Sequence, residues 1–174
     1  MANILQFPAE AQSKLGFQRV KKRKKAAAKE QPGQLNLFTR PEARIVKLPT
    51  GLSPFEEGLV LDERGDERAS EWYRKAISIG DGAADAYCNL GILEFHNGST
   101  EKAFDCFANS LKHDVRHLES HYNLANLYFE VGDLRLAKTH YDMAAEVEPG
   151  FANIYFNLGL VHAMNDDYKA AISV

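Results

Sequence analysis

Residues 118–150, LESHYNLANLYFEVGDLRLAKTHYDMAAEVEPG, carry a pattern that recurs on both sides of them. Asn123, Leu124 and Ala125 are followed by Tyr128, Gly132, Ala137, Tyr141, Ala144 and Pro149. A shift of 34 residues back brings Asn89, Leu90, Gly91, Gly98, Ala103, Phe107 and Ser110 into register; the same shift forward brings Asn157, Leu158, Gly159 and Ala171. A fixed period of this length marks a stacked array in which each unit is one helical hairpin.

Within the unit that begins at Ala84, Tyr87, Leu90, Gly91 and Glu94 recur at three- and four-residue spacing and share one helix face. Asn97 and Gly98 end that helix, and Ser99 or Thr100 is expected to cap the next. Ala103, Phe107, Ser110 and Leu111 form the inner stripe of the second helix. Ala69, Tyr73 and Ala76 repeat the spacing of Ala137, Tyr141 and Ala144, which predicts a further second helix upstream. Its partner helix, expected over residues 55–61 with a turn at 62–66, fits the pattern less well, because Glu56 and Glu57 fall near the Leu and small positions. The spacing from Gly65 to Ala69 is also one residue shorter than from Gly98 to Ala103. Terminal units of arrays are commonly atypical in this way.

These units resemble tetratricopeptide repeats. Small, Leu and aromatic positions recur at the 34-residue period, and Pro149 closes one unit. Val115 in place of a proline and His121 in place of Tyr87 and Tyr155 depart from the pattern. The expected fold is therefore an all-α solenoid of helical hairpins with a disordered basic N-terminal tail. Its parts are a tail over 1–48, a degenerate first repeat over 49–83, and two full repeats with a truncated third over 84–174. A last helix is expected to start near Asp167, and an end part-way through it leaves Leu160, Val161 and Ile172 in need of cover.

The resemblance implies a non-enzymatic scaffold or adaptor that binds an extended peptide along the concave face lined by the first helix of each unit. Asn89, Asn123 and Asn157 occupy one equivalent place per unit there. In some peptide-binding members an Asn at this place forms a ladder to the ligand backbone. A side-chain amide carries both donor and acceptor, which suits a peptide group. Cys88, Ile92 and Phe95, then Tyr122, Asn126, Phe129 and Glu130, then Phe156, Leu160 and Met164 are expected to line the same face. Such a mixed lining suits aromatic or aliphatic anchors. No Lys and Arg clamp for a terminal carboxylate stands among them. The alternative is that the Asn row only solvates or caps helices.

Charge divides the chain. Residues 1–48 hold 11 Lys and Arg against 3 Asp and Glu, a net of +8, while the remainder holds 10 against 21, a net of −11. Pro8, Pro32 and Pro41 interrupt the tail, which has too little apolar surface to offset its ordering entropy, although a transient helix is expected over 9–30. Lys21, Lys22, Arg23, Lys24 and Lys25 form a run able to neutralise phosphates without reading sequence. The same run also serves a solvated tail, or one lying against the acidic body.

Gln34, Leu35, Asn36, Leu37 and Phe38 resemble the motif by which bacterial replication and repair proteins bind the DNA sliding clamp. The resemblance implies Gln34 at the pocket rim with Leu37 and Phe38 inside it. Packing of Leu35, Leu37 and Phe38 on the protein's own first helix is the alternative. An accessory factor of DNA metabolism, tethered by this tail to the clamp or to DNA, is thus a second functional expectation. A third is that the tail occupies its own groove and is displaced by a partner.

Cys88 and Cys106 are too few and too far apart for a disulfide framework or a paired-cysteine zinc site. His113, His117 and His121 are spaced by four but straddle an expected turn, so no metal site is expected from them. No cofactor is implied. A continuous apolar stretch of signal-peptide or membrane-span length is missing, and a cytoplasmic location is expected.

Overall fold

The computed structural model describes residues 16–21 and 51–165. The described residues form seven α-helices and no strand: α1 (Pro54–Glu63), α2 (Ala69–Ile79), α3 (Ala83–His96), α4 (Thr100–His113), α5 (Leu118–Glu130), α6 (Leu134–Val147) and α7 (Ala152–Met164). Consecutive helices pair as hairpins, α1 with α2, α3 with α4 and α5 with α6, and each hairpin packs on the next through α2 on α3, α4 on α5 and α6 on α7. The array is a solenoid of stacked helical hairpins. The helix expected near Asp167 lies outside the described residues.

Local chemistry sets the boundaries. Ser53 caps α1 in a reciprocal capping box with Glu56, and Pro54 takes the first-turn position where its missing N–H costs nothing. Asp133 caps α6 by accepting from the Leu136 N–H at 2.9 Å. Ser99 stands at the N-cap of α4 but its side chain makes no capping bond, contrary to expectation. Gly98 and Gly132, at φ 75° and 83°, turn the chain inside the α3–α4 and α5–α6 hairpins through a left-handed conformation that costs glycine little.

The core repeats with the sequence. Ala69, Tyr73 and Ala76, then Ala103, Phe107 and Ser110, then Ala137, Tyr141 and Ala144 are all buried on the inner stripes of α2, α4 and α6. Ser110 stands where the other units have Ala, and its hydroxyl is satisfied by donating to the Ala84 carbonyl at 2.7 Å. The aromatic rings of α2 and α4 each lie against a glycine of the preceding helix. A Cβ added at Gly91 would meet Phe107 Cε1 at 2.7 Å, and one added at Gly58 would meet Tyr73 Cδ1 at 2.7 Å. Gly58 is therefore the small position of the first unit. The 34-residue shift back from Gly91 falls on Glu57 instead, because Gly58 precedes Tyr73 by 15 positions where Gly91 precedes Phe107 by 16. Residues 55–61 do form a helix, but it continues to Glu63 and takes in part of the expected turn.

Alanine in a helix gains up to about 1 kcal/mol over glycine, so the test of this contact needs a larger side chain. Gly91→Leu is expected to lower stability by about 1 to 3 kcal/mol in urea unfolding. Gly150→Ala, with no atom within 4 Å of the new Cβ, is expected to stay within about 0.5 kcal/mol of the parent.

Candidate functional site

Residues 16–21 lie across the face formed by α1, α3 and α5, held by side-chain amides. Asn89 accepts from the Val20 N–H at 2.9 Å through Oδ1 and donates to the Val20 carbonyl at 3.1 Å through Nδ2. Asn123 does the same one unit later, accepting from the Gln18 N–H at 2.7 Å and donating to the Gln18 carbonyl at 2.9 Å. The two clamped residues are two apart. Alternate residues facing one way is the period of an extended chain, and the repeat spacing of the helices supplies the matching rungs. The segment carries no helix, against the expectation of transient helix over 9–30, and what was expected to be unstructured tail is here seated on the repeats.

The segment runs against the order of the units. Gly16 sits at α5, where Asn126 Nδ2 donates to its carbonyl at 3.4 Å, and Arg19 reaches α1. Phe17 lies 4.5 Å from the ring of Phe95 and stacks at 12° on Phe107, with centroids 6.1 Å apart. Arg19 Nη1 pairs with Asp62 Oδ1 at 2.8 Å and contacts the Asp62 carbonyl at 3.4 Å. Val20 is fully buried within the core cluster of the first two units. Asp62, 6% exposed, also accepts from the Tyr73 hydroxyl at 3.1 Å. Burial raises its carboxyl above the ordinary range, and Arg19 and then the Tyr73 hydroxyl oppose that shift. The Asn89 amide is steadied from below, its Nδ2 lying 3.3 Å from the Tyr73 hydroxyl oxygen.

The free energy of this seat is close to balanced. Four amide bonds at about 0.5 to 1.5 kcal/mol each, with buried Val20 at about 1.5 to 3 and half-buried Phe17 at about half that and a part-exposed ion pair at about 0 to 1, total about 4 to 12 kcal/mol. Ordering six backbone residues opposes this by about 6 to 12 kcal/mol.

The other residues singled out by sequence fall into three groups. Ile92, Tyr122, Asn126 and Phe129 are buried. Tyr122 packs on Tyr141 and Phe151, at 5.8 and 5.4 Å, in the core of the later units. Asn126 accepts from the Tyr141 hydroxyl and from Asn157 Nδ2, the latter at 3.2 Å, and Asn157 also donates to the Tyr122 hydroxyl at 3.0 Å. Asn157 thus bonds side chains of its own array among the described residues, and Asn126 is the one that reaches Gly16. Leu160 is half-buried, while Phe156, at 67% exposed, faces solvent. Gln34, Leu35, Leu37 and Phe38, with Lys22, Arg23, Lys24 and Lys25, lie outside the described residues; Lys21 is described and exposed. The sequence reading missed Phe17, Arg19, Val20 and Asp62. The available signal was an aromatic and an aliphatic residue flanking an arginine in an otherwise polar tail.

Cys88 and Cys106 are not activated. Burial pushes their thiols up to about 12 and about 11, away from the thiolate that reacts. The three spaced histidines are taken up by the array. His113 stacks on Tyr87 at 5.5 Å, His117 caps α5 by accepting from the Ser120 N–H at 3.1 Å, and His121 Nε2 donates to the Val115 carbonyl at 3.0 Å.

Residues 122–174 match the family model of the tetratricopeptide repeat. The match covers the last 53 of the 174 residues. The crystal structure of the MamA protein superposes on the array with a TM-score of 0.62 at 21% identity, over 69% of this chain and 66% of that one. Anaphase-promoting complex subunit 3 of Schizosaccharomyces pombe is 26% identical over 110 residues, 63% of this chain and 16% of that protein. Tetratricopeptide repeat protein 8 of Mus musculus is 31% identical over 90 residues, 50% of this chain and 18% of that protein. The chain thus spans less than a fifth of the length of these two relatives. Among the described residues, no helix is long and apolar enough to cross a membrane.

The His121 bond to Val115 fixes a tautomer. With Nε2 protonated, His121 Nδ1 is bare and accepts from the Nδ1–H of His140 at 3.1 Å. Burial, then the neighbouring His121, hold the His140 imidazole down at about 4. The unfolded chain takes up a proton near the ordinary pKa of about 6.5, which the folded chain refuses until about 4. The stability due to this pair is complete above about pH 6.5 and is lost as pH falls toward 4. The urea midpoint is expected to fall from pH 7 to pH 5 by more in the parent than in His140→Gln. Equal falls would remove the pair as the cause.

Proposed function

We propose that this chain is a non-enzymatic protein-interaction scaffold that holds an extended peptide in the groove of its repeats. The carrying observation is the pair of amide clamps. Asn89 and Asn123 each bond both the N–H and the carbonyl of one residue in an extended segment. This chemistry recognises backbone, so any chain that can lie extended along α3 and α5 satisfies it. Residues 16–21 are then the occupant of a site whose other occupants are partner proteins. The cysteines, their thiols held protonated by burial, fit binding better than covalent chemistry.

The similarity to a subunit of the anaphase-promoting complex agrees with a role in assembly, and the repeat family acts generally through protein contacts. The near balance of the seat also favours a scaffold, because a partner need add only modest affinity to replace the resident segment.

Hydrogen exchange on the full chain tests the clamps directly. In the parent, the Gln18 and Val20 amides are expected to be protected relative to a free peptide. In an Asn89→Ala, Asn123→Ala double variant they are expected to exchange about tenfold faster or more, with the amides of α3 to α6 unchanged. Proteins retained by the parent on affinity purification from its host are expected to be lost together with that protection. Partners retained equally by both would move the function away from the groove.

A further inference from the structure

The groove reads side chains as well as backbone. Phe17 is seated on Phe95 and Phe107. The equivalents of Phe107 in the flanking units are Tyr73 and Tyr141, whose hydroxyls bond Asp62 and Asn126. The middle unit lacks that hydroxyl, and its floor is accordingly apolar where an aromatic ring rests. Arg19 meets an almost fully buried carboxylate at α1 and the carbonyl of the same residue. Two acceptors on one residue suit a multi-donor guanidinium better than an ammonium point charge. Val20 is wholly enclosed and clamped by Asn89; a charged residue there would be buried with its solvation lost. Gln18, half-buried, is held through its backbone by Asn123.

Resting on the scaffold reading above, we propose that the groove selects an extended segment with an aromatic residue, any residue, an arginine and a small aliphatic residue in succession. The segment runs from α5 toward α1. A partner protein carries this pattern, and residues 17–20 are the chain's own competing copy. Three features support that occupant. The resident segment is itself seated by those three side chains. Asp62 presents negative charge where the arginine must lie. The copy belongs to the same chain as the groove, next to Lys21, which lies 30 positions before Gly51, so its binding is intramolecular and competes with any free ligand. The resident segment thereby sets a threshold: ligands lacking one of the three anchors do not displace it.

The test uses the full chain and a variant with its own copy disabled by Phe17→Ala, Arg19→Ala and Val20→Asp. The probes are a fluorescein-labelled peptide of residues 16–21 and a scramble of the same composition. The disabled variant is expected to bind the peptide at least tenfold more tightly than the parent and at least tenfold more tightly than it binds the scramble. Asp62→Asn in the disabled chain is expected to weaken the peptide about tenfold while leaving a peptide with Gln for Arg unchanged. Equal binding of peptide and scramble overturns the selectivity and leaves the groove as a backbone reader. Equal binding by parent and disabled chains overturns the competing copy. If neither peptide binds a disabled variant with parental circular dichroism, the scaffold reading falls as well. Concentration-dependent self-association of the parent that the disabled variant lacks makes a second copy the occupant and overturns the partner.

Discussion

The close approach of an aromatic ring to a small residue, glycine in the first two hairpins, is the constraint on which this array depends. Phe107 lies where a Cβ on Gly91 would stand, and Tyr73 lies where a Cβ on Gly58 would stand. That approach fixes the distance between the helices of a hairpin. It also brings the far end of each second-helix aromatic through to the opposite face of the first helix. The Tyr73 hydroxyl there meets Asp62 and Asn89, and the Tyr141 hydroxyl meets Asn126. Packing and recognition therefore share atoms: the ring that holds a hairpin together also aims the polar group that faces the groove.

This coupling explains why polar side chains can be fully buried along α3, α5 and α7. Asn89, Asn123, Asn126 and Asn157 are all buried, and among the described residues no buried side-chain polar atom lacks a hydrogen-bond partner. Two of these amides are satisfied by the backbone of residues 18 and 20, while Asn157 is satisfied by Tyr122 and Asn126. An amide has enough donors and acceptors to exchange such partners. A groove walled with amides can hold a peptide or close on itself without leaving an orphaned group.

The repeat architecture was legible in residues 118–150 because packing demands recur with each hairpin, so one unit could be checked against its neighbours. The first unit was harder. Its small and aromatic positions lie one residue closer together along the chain, which moved Gly58 out of the register in which a small residue was sought. The Asn row was also legible, through periodicity and the family resemblance, but the partners of each Asn were not. Asn123 and Asn157 occupy equivalent sequence positions, yet one bonds Gln18 and the other bonds Tyr122. The difference comes from what each amide meets across space, and a repeat pattern is blind to that.

The sequence by itself determined that this chain forms stacked helical hairpins, with small and aromatic residues setting their spacing and an amide repeated on one face. It did so because those features depend on neighbours 3, 4 or 34 positions away, at intervals visible along the chain. Only the tertiary structure decided that residues 16–21 occupy the groove. It brought Arg19 to Asp62, 43 positions on, and Gln18 to Asn123, 105 positions on. Nothing in local periodicity distinguishes Phe17 and Val20 from Leu35, Leu37 and Phe38 as apolar side chains of a basic tail. The seating of the first pair rests on an apolar floor at Phe107, a buried carboxylate and two amides that come together only once the hairpins have stacked.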